Sequence, residues 1–282
     1  PMHKILTKKV LNEQVILMEL EAPRVAKKCR PGQFVILRVN ETGERIPLTI
    51  ADFDREKGTV TIIFQIVGKT TMLLAEQEEN GFVSDIVGPL GNASDLNGVR
   101  KAAVIGGGLG SAIAYPQAKA LHKMGANVEI IAGFRTKDLV ILEDEMRAVS
   151  DKLFVMTDDG SYGEHGLVTD KLKERIDDGA GYDTVIAIGP LIMMKFVAKL
   201  TKEYGIRTVV SMNPVMIDGT GMCGGCRVSV GGETKFACVD GPEFDGHLID
   251  FDEVIRRTSM YREQEQEAVK QHKCRLEDAL DG

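Results

Sequence analysis

The sequence predicts a two-part architecture: a small antiparallel β-barrel, then a parallel-sheet α/β domain, closed by a cysteine-bearing loop and a helical tail. Three observations carry this reading. Short β-branched runs separated by turn formers fill the first 98 residues. From Lys101 onward, apolar strands alternate with helical patterns, as in a parallel sheet with helices on its faces. From Met212 a glycine- and cysteine-rich segment replaces both patterns. The expected units are residues 1–98, 99–211, 212–246 and 247–282.

In the first unit, "VILMELEAP", "GQFVILRVN", "RIPLTIADF" and "GTVTIIFQIV" read as strands, with "RPGQ", "ETGE" and "DREKG" as the turns between them. Strands this short and this evenly spaced suggest a barrel. In the second, "KAAVIGGG" is a strand running into glycines, "SAIAYPQAKALHKMG" a helix and "NVEIIAGF" the next strand. Further strands are expected at "KLFVMTDDG" and "DTVIAIGP". Pro116 lies about two turns into the helix, which predicts a kink or a late start there. The end, from Asp252, is highly charged and helix-prone. It reads either as a solvated helix or as an arm that packs on a partner.

Composition narrows the function. A formal net charge of -7 argues against general binding to nucleic acid or anionic membrane. No run reaches the roughly 18 apolar residues of a membrane span. The N-terminal "PMHKILTKKV" lacks an apolar signal core, so a cytoplasmic location is expected. His165 and His247 read as exposed turn residues, and no Ser/His/Asp or paired-carboxylate constellation stands out.

"VIGGGLGSAIA" places Gly106, Gly107, Gly108, Leu109 and Gly110 between a strand and a helix. Glycines there let a backbone approach a pyrophosphate, and the helix start offers free N–H groups. A tight strand–helix turn also needs glycine for itself, so the string alone does not decide. The acid that usually follows about 20 residues later is missing from "IIAGFRTKD". Two later strand ends supply contacts instead: "TDDGSYGEHG", with Asp158, Asp159 and Gly160, and "IGPLIMM", with Gly189 and Pro190. The two aspartates would repel a 2'-phosphate and accept from a ribose hydroxyl, which favours NAD over NADP.

Five cysteines are present, three of them within Cys223–Cys238; Cys29 and Cys274 stand apart as thiols without an evident task. An odd, crowded set is a poor disulfide framework and a good ligand set. Asp218, Cys223 and Cys226 are spaced D-x4-C-x2-C, and Cys238 follows after eleven intervening residues. Plant-type iron–sulfur loops use C-x4-C-x2-C and a distant cysteine, so the aspartate occupies the first ligand position. A Cys3Asp zinc site and a redox dithiol remain as alternatives.

Barrel, glycine turn and order of units together resemble the ferredoxin-NADP reductase superfamily. "RIPLTI" (Arg45, Ile46, Pro47, Leu48, Thr49, Ile50) resembles its first flavin motif, with the arginine one place early. "VGKTT" resembles the second, "VGPLGN" the turn that closes the barrel, and "IGPLIMMK" the Cys-Gly-Pro-x-x-Met motif, with Ile188 in place of the cysteine. Within the superfamily, the cysteine cluster resembles that of the electron-transfer subunit of dihydroorotate dehydrogenase. The likeness is closer to the small subunits of NADH-dependent ferredoxin:NADP oxidoreductase, also called sulfide dehydrogenase subunits.

The resemblance implies FAD, NAD(H) and a [2Fe–2S] cluster, with Asp218, Cys223, Cys226 and Cys238 as ligands. Pro47 and Leu48 are expected to lie flat against the isoalloxazine, with Thr49 near its reactive nitrogen. Ile63, Phe64 and Gln65 are expected along the ribityl and adenosine side, although "TIIFQIV" also reads as a plain core strand. Gly68, Thr70 and Thr71 are expected at the flavin diphosphate. The implied function is electron transfer from NAD(H) through FAD and the cluster to a larger flavin/iron–sulfur subunit in a bifurcating heterodimer. Ferredoxin would be reached through that subunit. The rivals are a dihydroorotate dehydrogenase electron-transfer subunit and a zinc-stapled nucleotide-binding regulator.

Overall fold

The computed structural model describes residues 2–259. Seven antiparallel strands form the first sheet: β1 (His3–Asn12), β2 (Val15–Glu21), β3 (Phe34–Arg38), β4 (Arg45–Asp54), β5 (Thr59–Gln65), β6 (Phe82–Val83) and β7 (Asp85–Leu90), in the order β6-β1-β2-β5-β4-β3-β7. Two short helices, α1 (Pro23–Ala26) and α2 (Lys69–Ala75), interrupt them. Met18, Leu20, Val35, Leu37, Ile62 and Phe64 fill the interior, with Cys29 buried among them. Phe34 and Ile36 alternate with Val35 and Leu37, so they leave the interior and belong to a separate apolar cluster outside it.

The second sheet is built from β8 (Lys101–Gly107), β9 (Asn127–Phe134), β10 (Lys152–Thr157), β11 (Glu164–His165), β12 (Thr184–Ile188) and β13 (Arg207–Ser211), all parallel. Helices α3 (Gly110–Lys123), α4 (Glu143–Ala148), α5 (Val168–Asp177) and α6 (Leu191–Glu203) connect them. α3 begins at Gly110 and runs unbroken through Pro116, so the late start does not occur. The proline forgoes a single helical hydrogen bond, and burial of the helix against the sheet holds it. Near the start of β9, Glu129 accepts hydrogen bonds from Arg175 Nε at 3.0 Å and the Tyr182 hydroxyl at 2.5 Å.

The cysteine segment continues from the end of β13. It contains a hairpin, β14 (Arg227–Val230) and β15 (Glu233–Phe236), then β16 (Glu243–Asp245), which pairs antiparallel with β13. Residues 212–246 therefore complete the edge of the nucleotide sheet. The last helix among the described residues, α7 (Phe251–Ser259), buries Phe251 and Val254 in the same core as α6, so this part of the expected tail is anchored on its own chain. The remainder of that arm, including Cys274, falls outside the described residues.

Barrel and nucleotide units share one apolar cluster, in which Ala51 and Ile63 meet Ala112, Ala114 and the partly buried Tyr115. Across the same seam Lys119 Nζ donates to both carboxylate oxygens of Asp52, at 2.9 and 2.7 Å. Among the described residues no helix is long and apolar enough to cross a membrane.

Candidate functional site: a dinucleotide crevice, a flavin strand and a cysteine loop

The strand order β11-β10-β9-β8-β12-β13-β16 reverses direction between β8 and β12. Open α/β sheets bind ligands in the crevice at this switch point, beyond the carboxyl ends of the strands. Gly107 and Gly189 meet there: a Cβ on Gly189 would lie 3.0 Å from Gly107 Cα. Gly110 starts α3 pressed onto β12, and a Cβ there would lie 2.2 Å from Ile188 O. Gly108 is different. It has φ +54° and nothing within 4 Å of a would-be Cβ, so the turn opens to a free space at the start of α3.

Asp158 and Asp159 follow β10 on the same side of the sheet and differ in role. Asp159 Oδ1 accepts from Ser161 N at 3.0 Å and Ser161 Oγ at 2.7 Å, and these bonds hold its carboxyl below the usual range. Asp158 is exposed, and among the described residues no hydrogen bond or ion pair engages its carboxylate. Asp159 shapes the turn, while the Asp158 carboxylate points into no such bond. His165 packs under this turn, its ring 3.3 Å from a Cβ built on Gly160.

On β4 the register fixes which residues share a face. Thr49 pairs with Phe34, Pro47 with Ile36 and Arg45 with Arg38. Arg45, Pro47 and Thr49 thus lie on the outer face with Phe34 and Ile36. Leu48, opposite Val35, packs against the barrel core instead. Phe64 is also a barrel-core side chain and Ile63 a seam residue, which leaves Gln65, bonded to Gln14, as the partly exposed member of that trio. The expectation that all three side chains line a cofactor is corrected accordingly: alternation on β5 turns Phe64 away from Ile63 and Gln65. The Arg45 guanidinium is paired with Asp85 at 3.1 Å. Thr71 Oγ1 accepts from Val67 N and Gly68 N at 3.0 Å, and Thr70 Oγ1 donates to Glu44 at 2.9 Å. Both hydroxyls are engaged in shaping the start of α2, and Gly68 faces open space there.

The cysteine loop packs on the outer face of the barrel. Cys226 and Cys238 are buried beside Phe34, Ile36 and Met216, and Cys223 is exposed. Burial, with Cys226 alongside, pushes the Cys238 thiol up to about 12, so a metal must displace its proton to bind. Asp218 folds back on the loop: Thr220 N donates to Oδ1 at 2.8 Å and Cys223 N to Oδ2 at 3.0 Å. Among the described residues no three acidic, cysteine or histidine side chains converge as a metal cage. The structure brings Cys226 to Cys238 and Asp218 to the Cys223 backbone. Gly225 N–H and Cys238 N–H donate to Cys223 Sγ and Cys226 Sγ, each at 3.4 Å.

A family model for the iron–sulfur cluster binding domain of dihydroorotate dehydrogenase B matches residues 213–250, the whole of this loop and its hairpin. The chain is 47% identical over 264 residues to a Thermotoga maritima homolog of the dihydroorotate dehydrogenase B electron transfer subunit, covering 94% of this chain and 93% of that protein. The chain belongs to this family of electron-transfer subunits. An uncharacterized Clostridium beijerinckii protein encoded in the adh 3' region is 54% identical over 275 residues, 95% and 93% of the two chains. Among solved structures, a chain from the NADH-dependent reduced ferredoxin-NADP oxidoreductase, studied for flavin-based electron bifurcation, matches with a TM-score of 0.90 and 45% identity. That match covers 96% of this chain and 98% of the other.

This electron-transfer subunit is therefore an oxidoreductase component of ferredoxin-NADP reductase fold, with FAD, NAD(H) and a [2Fe–2S] cluster as its cofactors. Iron–sulfur binding takes the place of the zinc and dithiol alternatives. The loop's chemistry fits a cluster: it offers three thiols and a carboxylate, and backbone N–H groups already point at two sulfurs. Sequence reasoning missed the wall formed by Phe34 and Ile36. Its signal was the uninterrupted apolar run Phe34–Leu37, which alternation along a one-sided strand does not require. His247 also departs from expectation; its ring is partly buried and bonded to Thr201 Oγ1 at 3.0 Å.

Proposed function

We propose that this chain is the NAD-linked electron-transfer subunit of a bifurcating NADH-dependent reduced ferredoxin:NADP oxidoreductase. It works as a heterodimer with a larger flavin/iron–sulfur subunit, through which ferredoxin is reached. The observation that carries this reading is the near full-length likeness to a chain of that enzyme. When bound, NAD(H) and FAD supply hydride exchange and the cluster supplies single-electron transfer. The protein's own residues position them. Backbone amides at Leu109 and Gly110 receive the dinucleotide diphosphate, Gly108 leaving the space open, with Asp158 at the ribose hydroxyls and Gly189 and Pro190 flanking the nicotinamide. Pro47 and Thr49 present the outer face of β4 to the flavin ring, with Arg45 and the start of α2 at its diphosphate. Cys223, Cys226, Cys238 and Asp218 hold the cluster.

The loop's surroundings support a partner at this face. Met222, Ile217, Val215 and Val239 are large apolar side chains exposed around Cys223, Met222 the most of all at 89%. Solvated apolar groups gathered round a ligand loop are the composition of an interaction site. The second reading, an electron-transfer subunit of dihydroorotate dehydrogenase, has in its favour the domain matched at residues 213–250. Affinity purification from the native cell separates the two. Recovery of a large flavin/iron–sulfur subunit whose complex reduces NADP with NADH and reduced ferredoxin supports the first. A dihydroorotate-oxidising partner supports the second.

A further inference from the structure

One half-buried acid outside the ligand sets stands where the cluster-binding segment meets the barrel connection and α3. Glu243 is on β16, within the cluster-binding segment. Its Oε1 accepts from Ser94 Oγ at 2.6 Å and from Gln117 Nε2 at 2.8 Å. Ser94 belongs to the connection leaving the barrel and Gln117 to α3, and a Cβ on Gly32, from a barrel loop, would lie 2.9 Å from Oε1. Two neutral donors on one oxygen do not supply a counter-charge for a carboxylate drawn out of water. The charged group whose field reaches Glu243 is Arg207 from β13, which is itself paired with Asp95 at 3.6 Å. Glu129 differs in kind: Arg175 is bonded to it, and Lys101 and Lys152 stand within 4 Å.

Gln117 provides an independent sign. Its Nε2 serves Glu243, but its Oε1 is buried without a partner. With the amide turned over, Oε1 would face the carboxyl, which only a protonated Glu243 can satisfy as donor. The pair thus has two hydrogen-bonded arrangements, one for each protonation state. Burial raises the Glu243 carboxyl above its ordinary value, against the pull of Ser94, Gln117 and Arg207. The next residue along β16, Phe244, packs against the apolar cluster that contains Cys226 and Cys238.

We propose that Glu243 is the proton acceptor coupled to electron arrival in this subunit. The inference rests on the cluster reading above. With flavin and cluster bound, NADH would give its hydride to the flavin, and one of those two electrons passed on to the cluster would add one negative charge there. The Glu243 carboxylate takes one proton from bulk water and becomes the neutral acid. The proton would leave again when that electron passes on, so the only bond made and broken at Glu243 is its O–H. Glu243 acts through the field it sets and is a positioning residue, not a ligand.

The test uses the holoprotein. Reduced-minus-oxidised infrared difference spectra should show a carboxylic-acid carbonyl band appearing on reduction, and the cluster potential, read by electron paramagnetic resonance, should fall as pH rises. Glu243→Gln should remove the band and flatten the pH dependence while the resonance of the reduced cluster keeps its shape. Gln117→Leu, which removes a donor to the ionised form, should move the pH range upward. A band and a pH slope that survive in Glu243→Gln overturn the proposal. If that variant does not fold, an unmoved pH range in Gln117→Leu overturns it alone. Absence of any iron–sulfur resonance in the wild type is a different result; it removes the cluster reading and this inference with it.

Discussion

Gly219 of the cysteine loop rests on Ile36 of the barrel so closely that a Cβ on the glycine would lie 3.0 Å from Ile36 Cγ1. Ile36 is the register partner of Pro47. A single strand, β3, therefore separates the proposed flavin surface from the loop proposed to hold the cluster, and adjacent strands are only about 4.8 Å apart. The distance between the two cofactor surfaces is set by side chains that touch.

That contact predicts a sharp size limit at residue 219. Gly219 also has φ +73°, so Gly219→Val adds backbone strain to the clash. Its expected cost is about 1–3 kcal/mol in stability, with lower iron and sulfide content and the flavin retained. Ile36→Ala placed in a Gly219→Ala background should restore part of the iron. Thermal melts and metal analysis of the four chains check this.

Asp158 predicts nucleotide choice. The subunit should use NADH at least tenfold better than NADPH, a difference of about 1.4 kcal/mol. Asp158→Ser should narrow the ratio by admitting the 2'-phosphate. Asp159→Asn, by loosening the turn through Ser161, should weaken both nucleotides alike. Rapid-mixing flavin reduction with each nucleotide distinguishes the two effects, and an unchanged ratio in Asp158→Ser would remove that residue from the ribose.

Asp218 predicts a ligand-dependent cluster. Asp218→Ala removes the proposed ligand and both loop-closing acceptors at once, so iron content should fall with the flavin still bound. Asp218→Cys should keep a [2Fe–2S] cluster with an altered spectrum and a shifted potential, since ligand identity sets both. Full iron and an unchanged spectrum in the alanine variant would leave Asp218 as a turn residue only.

Glu129 predicts acid sensitivity. Burial alone would raise its carboxyl, but Arg175 and the Tyr182 hydroxyl bonded to it hold it below the ordinary 4.5. A lowered acid contributes its stability above 4.5 and loses it as pH falls through the lowered value. Glu129→Gln leaves Arg175 without its charge and should cost about 3–5 kcal/mol at neutral pH. The gap to wild type should close in acid, which melting curves taken down the pH scale will show.

Much of this fold was legible in the sequence because its signals are local. β2, β3, β4 and β5 are β-branched runs between turn formers, and β8 ends in glycines that the strand–helix turn demands. β16 was not legible. Glu243, Phe244 and Asp245 carry no strand pattern, and only the free edge of β13, brought near by the tertiary fold, makes them a strand. The spacing behind the proposed ligand set, D-x4-C-x2-C, is written along the chain. The backward fold of Asp218 onto Thr220 and Cys223 is not, because it depends on backbone geometry that spacing does not encode.

The pairing of β16 with β13 also sets an order for biogenesis. On the ribosome the barrel and the parallel strands emerge first, and β13 then presents a bare edge until residues 243–245 follow. Such edges are where nascent chains aggregate. Covering that edge and receiving iron depend on the same stretch, residues 213–250. A chain stalled within it is at once without its metal site and open to aggregation.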